Sequence, residues 1–364
     1  MENKRLRSLD AFRGFTIMAM ILVNNPGSWE HVYPPLLHSK WNGITPTDLI
    51  FPFFLFIVGV SIVLAYENRL ERGENKYGLV RKIIFRTLKI FFVGLLLNFI
   101  QHFNFSELRI AGVLQRISIV FLVCSLLYLF AGWKARLWIG SVILLLYWLS
   151  MTYIPTPGYG RPILEPGVNL AAWIDTKLLP GTMWEGTWDP EGILSTFPAI
   201  VTGLLGMVAG GILRRKNNPE RKVIELFIFG LAIGIVGYAW SWTFPLNKNL
   251  WTSSYVLFTA GLATMLLSSL VYLMDILAIE SFGRAGIIFG ANAIAIYVLS
   301  DLLTYIFYGW GFGSGLGLNQ HFMHIGTRLG IVPEFSSFLY ALIYIGINFI
   351  PAYFLYWKRI FIRL

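Results

Sequence analysis

Residues 47–66 read Thr47-Asp48-Leu49-Ile50-Phe51-Pro52-Phe53-Phe54-Leu55-Phe56-Ile57-Val58-Gly59-Val60-Ser61-Ile62-Val63-Leu64-Ala65-Tyr66. One charge stands at the edge of this run and none inside it. About 20 apolar residues, rising about 1.5 Å each, cover the roughly 30 Å of hydrocarbon in a bilayer. The run shows no alternation of period two, so it reads as a spanning helix and not as a barrel strand. Similar runs recur along the chain, which is 56% hydrophobic and 13% charged. Soluble domains carry about 25% charged residues. The expected fold class is all-α: a polytopic integral membrane helix bundle of about ten transmembrane helices, forming a single domain over 1–364. The spans fall near 11–25, 47–66, 82–100, 110–130, 136–153, 195–213, 222–243, 252–274, 285–308 and 335–357. The first resembles a signal peptide, but no small-residue cleavage site precedes Asn24-Asn25-Pro26-Gly27, so it reads as a retained span.

The formal net charge of +10 does not point to nucleic acid. The basic residues sit in short loops between apolar runs, and no basic face interleaved with aromatics is visible. With the N-terminus inside, 22 of the 29 Lys and Arg fall on the cytoplasmic side. Both termini are therefore expected in the cytoplasm. The outer loops, 26–46, 101–109, 154–194, 244–251 and 309–334, are rich in Trp, Pro and Gly. Trp29, Trp184 and Trp310 suit interfacial anchoring, and equally a sugar-stacking surface. Cys124, the one cysteine, lies inside an apolar run, where a thiolate is disfavoured and packing is the simpler role.

Polar groups at membrane depth are costly and mark functional candidates. The stretch Arg5 to Gly14 is a basic anchor in which Asp10 pairs with a neighbouring arginine, or else takes part in binding. Asn24 and His38-Ser39-Lys40-Trp41-Asn42-Gly43 flank and fill the first outer loop, and Asp48 enters the next span. Histidine is the usual general base near neutral pH, and a carboxylate fixes its tautomer. From spacing alone His38 is either that base or a solvated loop histidine. Arg109 and Arg116 stand seven apart, which on a helix gives one face two turns apart. With Gln115 they suggest anion recognition or pairing with a buried carboxylate. Phe244 to Trp251 is a short polar loop containing Asn247, Lys248 and Asn249. His321 and His324 have the spacing of a metal pair, but no third ligand is evident, so no metal site is expected. Glycine-rich 309–317 lacks the Lys-Ser/Thr of a phosphate loop.

These motifs resemble the heparan-α-glucosaminide N-acetyltransferase family of transmembrane acetyltransferases. The matching pieces, in family order, are Arg5-Leu6-Arg7-Ser8, Phe12-Arg13-Gly14, Val23-Asn24, His38 with Trp41-Asn42-Gly43, and Asp48-Leu49 with Phe51-Pro52. They continue with Arg109-Ile110, Gly112 to Arg116, Asp189 to Leu194, Asn247 to Trp251, and Asn292 near Tyr297. The resemblance implies acetyl transfer from acetyl-CoA, as co-substrate, to the amine of a terminal glucosamine. It implies His38 as the active-site residue, with Asn24 its neighbour; Asp48 joins them as a catalytic candidate on its closeness to His38 in sequence. It makes Arg109, Arg116, Gln115, Trp41, Asn42, Asn247, Lys248, Asn249 and Asn292 candidates for binding substrate or co-substrate. The chain begins almost at the Arg-Leu-Arg-Ser motif, so the lumenal domain and extra first span of the lysosomal enzyme are expected to be lacking, and a bacterial inner membrane suits the short basic N-terminus.

Since CoA is made inside and His38 is expected outside, a path through the bundle is implied. Arg81, Lys82, Arg86 and Arg284 are candidates for the CoA phosphates, though positive-inside anchoring explains them equally. Expected partners are acetyl-CoA, a glycan or amino-sugar acceptor, the lipid bilayer and, as one option, a second copy in a homodimer. The rival reading is a transporter of a small anionic or glycan solute, and a third is a structural or glycan-binding membrane protein.

Overall fold

The computed structural model describes residues 6–309 and 316–362, the side chains of Gln101 and His102 apart. Lys4, Arg5, Trp310, Ser314 and Arg363, and with them part of the Arg5–Ser8 motif and of the 309–317 loop, lie outside the described residues. Among the described residues there is no β-strand, and the chain forms two compact units.

The first unit comprises residues 1–39, 45–51 and 270–364. It holds α1 (Arg7–Asn24) and the opening residues, Ile50 and Phe51, of α2 (Ile50–Glu71). The remainder of α2 belongs to the second unit, residues 40–44 and 52–269, with α3 (Lys76–His102), α4 (Val113–Phe130), α5 (Trp133–Tyr153) and α6 (Leu170–Leu178). It also contains α7 (Ile193–Arg214), α8 (Pro219–Trp240) and most of α9 (Ser253–Leu270). The first unit then closes with α10 (Arg284–Ala291), α11 (Ala293–Phe307), α12 (Leu318–Arg328) and α13 (Pro333–Trp357).

Local chemistry sets many of these boundaries. Asn75 caps α3 through its side-chain oxygen, which accepts from the Tyr77 N–H at 3.0 Å. Asn169 does the same for α6 through Ala172 at 2.9 Å, and Asn218 followed by Pro219 opens α8. Each cap satisfies one of the four N–H groups a helix start leaves unpaired, and proline at the first position loses no bond.

Among the described residues eight helices are long and apolar enough to cross a membrane: α2, α3, α4, α5, α7, α8, α9 with the π-helical turn that follows it, and α13. A ninth span is counted if α10 and α11 are taken together, although they meet at 83°. The protein is a polytopic helical membrane protein, as expected, and beside the about ten apolar runs of the sequence eight or nine helices among the described residues meet that length and apolarity. Two local causes explain the difference. The run 285–308 is broken at Asn292, whose backbone leaves the helical region. Its side chain holds the C-terminal tail instead, donating to the Ile360 carbonyl at 2.9 Å and accepting from the Ile362 N–H at 2.7 Å. The first run, α1, carries Arg7, Asp10 and Arg13 within its 18 residues.

Those charges are matched inside the first unit. Arg7 pairs with Glu280, and the Ser8 hydroxyl and the Arg7 N–H both donate to Asp275. Arg13 reaches Asp10 at 3.3 Å and the Gly290 carbonyl at 3.4 Å. Of the two sequence readings of this stretch, the paired anchor is the one these bonds support. The backbones of α1 and α10 approach so closely that a Cβ at Gly14 would collide with the Gly286 carbonyl, and one at Gly290 with that of Asp10. Small residues allow such helix contact in a bilayer, where packing rather than water release drives association.

Candidate active site

In the first unit, the chain between α1 and α2 turns through two short 3-10 segments, Pro34–Leu36 and Pro46–Leu49. The second places Asp48 with its side chain fully buried. One carboxylate oxygen of Asp48 accepts from the Thr45 N–H, the Thr45 hydroxyl and the Ser39 N–H, each at 3.0 Å. The other lies 2.7 Å from His38 Nδ1. An ionised carboxylate can only accept hydrogen bonds. His38 Nδ1 must then carry its proton toward Asp48, which leaves the basic lone pair on Nε2. The imidazole itself is half exposed, at 50%. Proximity in sequence suggested this pair, and the structure brings the two side chains together.

Asn24 is placed differently from its neighbour. It ends α1 with its side chain exposed, and among the described residues no hydrogen bond joins it to His38. Asn25 is the buried asparagine of the two, 2% exposed; its Nδ2 donates to the Ile21 carbonyl at 2.9 Å and its Oδ1 has no partner. Both asparagines follow the same apolar run, and only the end of the helix decides which one turns inward. Asn292, as described above, organises the helix break and the tail.

In the second unit, Asn42 accepts from Asn247 Nδ2 at 3.1 Å, and the Gly43 N–H donates to the Leu246 carbonyl at 2.8 Å. The two loops that the sequence singled out are therefore joined. Asn247 is fully buried; its Oδ1 also accepts from the Leu250 N–H at 2.8 Å, so it shapes the 244–251 turn. Lys248 and Asn249 are half-buried on that turn. The Trp41 indole donates to the Leu164 carbonyl at 2.9 Å and meets Trp188 edge to face at 5.2 Å.

The expectation that Arg109 and Arg116 share a helix face does not hold. α4 begins at Val113, and Arg109 lies in the preceding loop, in an isolated antiparallel bridge with Gly181. Asn98 holds that loop extended by donating to the carbonyls of Arg109 and Ala111 at 2.7 and 3.1 Å. The arginines consequently have separate partners. Arg109 forks onto Asp189 with two 2.7 Å bonds and reaches Glu191 at 2.5 Å, while its guanidinium stacks on Trp184 at 5.1 Å. Burial alone would lower its pKa, but the two carboxylates outweigh that and raise it further above its ordinary value. Burial acts upward on Asp189 too, and there the Arg109 fork wins, holding the carboxyl below the usual range. Asp175, on α6, has Arg116 near it but no forked arginine of this kind. Burial pushes it up to about 6, against the pull of the Ile193 N–H that donates to it at 2.9 Å.

Arg116 is 1% exposed. Its Nη2 donates to the Ser195 hydroxyl and, at 3.2 Å, to the Gly192 carbonyl, and its guanidinium lies over Trp251 at 5.2 Å. Nε and Nη1 have no hydrogen-bond partner, nor has the adjacent Gln115 Nε2. Of the two readings offered for these residues, pairing with a buried carboxylate describes Arg109, whereas Arg116 retains unpartnered donors. Nothing in the sequence spacing announces that Asp175 meets the start of α7 or that Ser195 meets Arg116 of α4.

The family profile described as heparan-alpha-glucosaminide N-acetyltransferase, catalytic, matches residues 5–239. The heparan-alpha-glucosaminide N-acetyltransferase of Mus musculus is 29% identical over 389 aligned residues, covering 90% of this chain and 58% of the relative. That of Homo sapiens is 29% identical over 416, covering 98% and 59%. The chain thus spans just under three-fifths of the length of the curated relatives it matches.

Proposed function

The chain belongs to the heparan-alpha-glucosaminide N-acetyltransferase family, and on that premise we propose that it is a membrane acetyltransferase moving acetyl from acetyl-CoA to the free amine of a terminal glucosamine-like sugar. The observation that carries the reading is the buried Asp48 carboxylate, 2.7 Å from Nδ1 of a half-exposed His38. In the proposed step the amine nitrogen attacks the thioester carbonyl carbon and Nε2 of His38 takes the proton the amine sheds. The C–N bond forms, the tetrahedral intermediate collapses, the C–S bond breaks, and the proton passes from His38 to the departing CoA sulfur. Asp48 keeps the ring in the tautomer with a basic Nε2 and stabilises the imidazolium that forms, without itself taking a proton. The orientation proposed, with both termini cytoplasmic, rests on the Lys/Arg asymmetry, and places CoA supply and His38 on opposite sides of the bilayer. The acetyl group would then cross while the sugar acceptor does not.

An acceptor panel tests the reading. Purified protein is given acetyl-CoA with an oligosaccharide ending in glucosamine, the same oligosaccharide already N-acetylated, or one ending in glucose. Free CoA and acetylated sugar are expected with the first alone. Equal CoA release with all three would make the reaction thioester hydrolysis and overturn the amine acceptor, whereas uptake of sugar into vesicles without any CoA release would replace the enzyme by the transporter reading.

A further inference from the structure

Within the second unit, a groove runs between α5 and α7 and joins a polar cleft at one end. The groove, about 540 Å³, is walled by Leu137, Gly140 and Leu144 of α5, by Val201, Leu204 and Val208 of α7, and by Leu257 of α9. The cleft, about 470 Å³, is lined by Glu67, Lys76, Tyr128, Arg214 and others, and both share Arg136, Met207, Gly211 and Arg215. From Val201 to Arg215 the α7 wall extends about 21 Å at 1.5 Å per residue, against about 15 Å for the hydrocarbon of one leaflet. The shape is that of a slot for one long chain with a head at the junction.

The charges at the junction are not all committed. Arg214 pairs with Glu71 and Asn68, and Arg215 with Glu225. Glu67 accepts from the Tyr128 hydroxyl. Arg136 stacks over the Tyr128 ring at 4.9 Å, and its Nη1 is buried with no hydrogen-bond partner. Lys76 lies over Phe130 at 6.0 Å. A buried guanidinium N–H without an acceptor is costly and suits an anionic oxygen, above all a phosphate. Beyond Arg136 and Arg215, Ser141 is the polar side chain among the groove's lining residues. A pantetheine arm would bury two amides there with little to bond them, whereas an acyl chain asks for nothing polar. Trp133 and Leu137 on the rim are 63% and 40% exposed, so the slot opens sideways at a helix face suited to hydrocarbon.

The geometry points to a bound anionic phospholipid, its phosphate on Arg136 at the end that the charge asymmetry assigns to the cytoplasm and one acyl chain along the α5–α7 groove. Anionic headgroups gain roughly 1 kcal/mol per nearby cation. Gly211 supplies an independent test, since a Cβ there would meet no atom within 4 Å and a larger side chain would fill the junction.

The whole chain is exchanged into mixed micelles of phosphatidylglycerol and phosphatidylcholine, and retained lipid is counted by native mass spectrometry. The wild type is expected to keep one phospholipid and to prefer phosphatidylglycerol roughly five-fold. Arg136→Gln should abolish the preference, and Gly211→Leu should remove the retained lipid of both kinds while the unfolding temperature stays near that of the wild type. An unchanged lipid ratio in Arg136→Gln overturns the proposal, as does an unchanged lipid count in Gly211→Leu. A third arm adds CoA: displacement of the lipid by CoA, with CoA binding itself lost in Arg136→Gln, would make the junction a nucleotide site and overturn the lipid assignment.

Discussion

His38→Ala is expected to lower acetyl transfer by about 10² to 10⁴ in kcat, the contribution of a positioned general base, with the KM for acetyl-CoA little changed. The loss falls on kcat because the proton moves in the transition state and the imidazole adds little to ground-state binding. The variant should fold normally. The ring is half exposed, and Asp48, deprived of His38, keeps the three donors of Thr45 and Ser39. A larger loss, together with an acetyl group trapped on His38 of the wild type by rapid quench, would identify a two-step route in which Nε2 accepts the acetyl itself. Near-native turnover would remove His38 from the mechanism and make His31, another histidine of the same outer loop, the next to test.

The second large effect is on stability. Arg109→Met should destabilise the protein by about 3 to 5 kcal/mol, the range seen when one partner of a buried ion pair is removed. The methionine fills most of the volume, but it leaves Asp189, whose side chain is fully buried, and Glu191, 9% exposed, without their cation. Asp189 also accepts from the N–H groups of Trp184 and Glu191, at 3.1 and 2.9 Å, so losing its charge balance disturbs the segment that leads into α7. Thermal unfolding in detergent measures the change. Adding Asp189→Asn to Arg109→Met should restore part of the loss, because it removes one of the stranded charges. A change below about 1 kcal/mol would mean that the cluster is solvated like a surface pair.

Much of the fold is legible because a bilayer imposes a simple rule on length and apolarity. Every run assigned as a span coincides with helix, and the start of α4 shifts from 110 to Val113. What escapes is set by single side chains. Asn292 breaks α10 from α11 through bonds to a tail 68 and 70 residues away that no local pattern shows. α6 and α12 lie inside stretches read as loops; with 9 and 11 residues they are too short to span. The site divides in the same way. His38 and Asp48 are ten residues apart on one loop, so their meeting was visible as a candidate. The Arg109–Asp189 fork crosses 80 residues, and the pairing could be posed but not assigned. Arg109 shares no helical face with Arg116 because it lies before Gly112, where α4 has not yet begun.

The most direct measurement is a double-mutant cycle on acceptor-dependent CoA release, comparing wild type, His38→Ala, Asp48→Asn and the double variant. Asparagine at 48 can present its amide N–H to His38 Nδ1 and so favour the wrong tautomer, an exchange that costs about 10⁴ in a serine-protease triad. If Asp48 acts through His38, the double variant transfers acetyl no more slowly than His38→Ala alone, because the carboxylate has nothing left to orient. Losses that multiply in the double variant, or a His38→Ala protein that still acetylates the amine at the wild-type rate, would contradict the account.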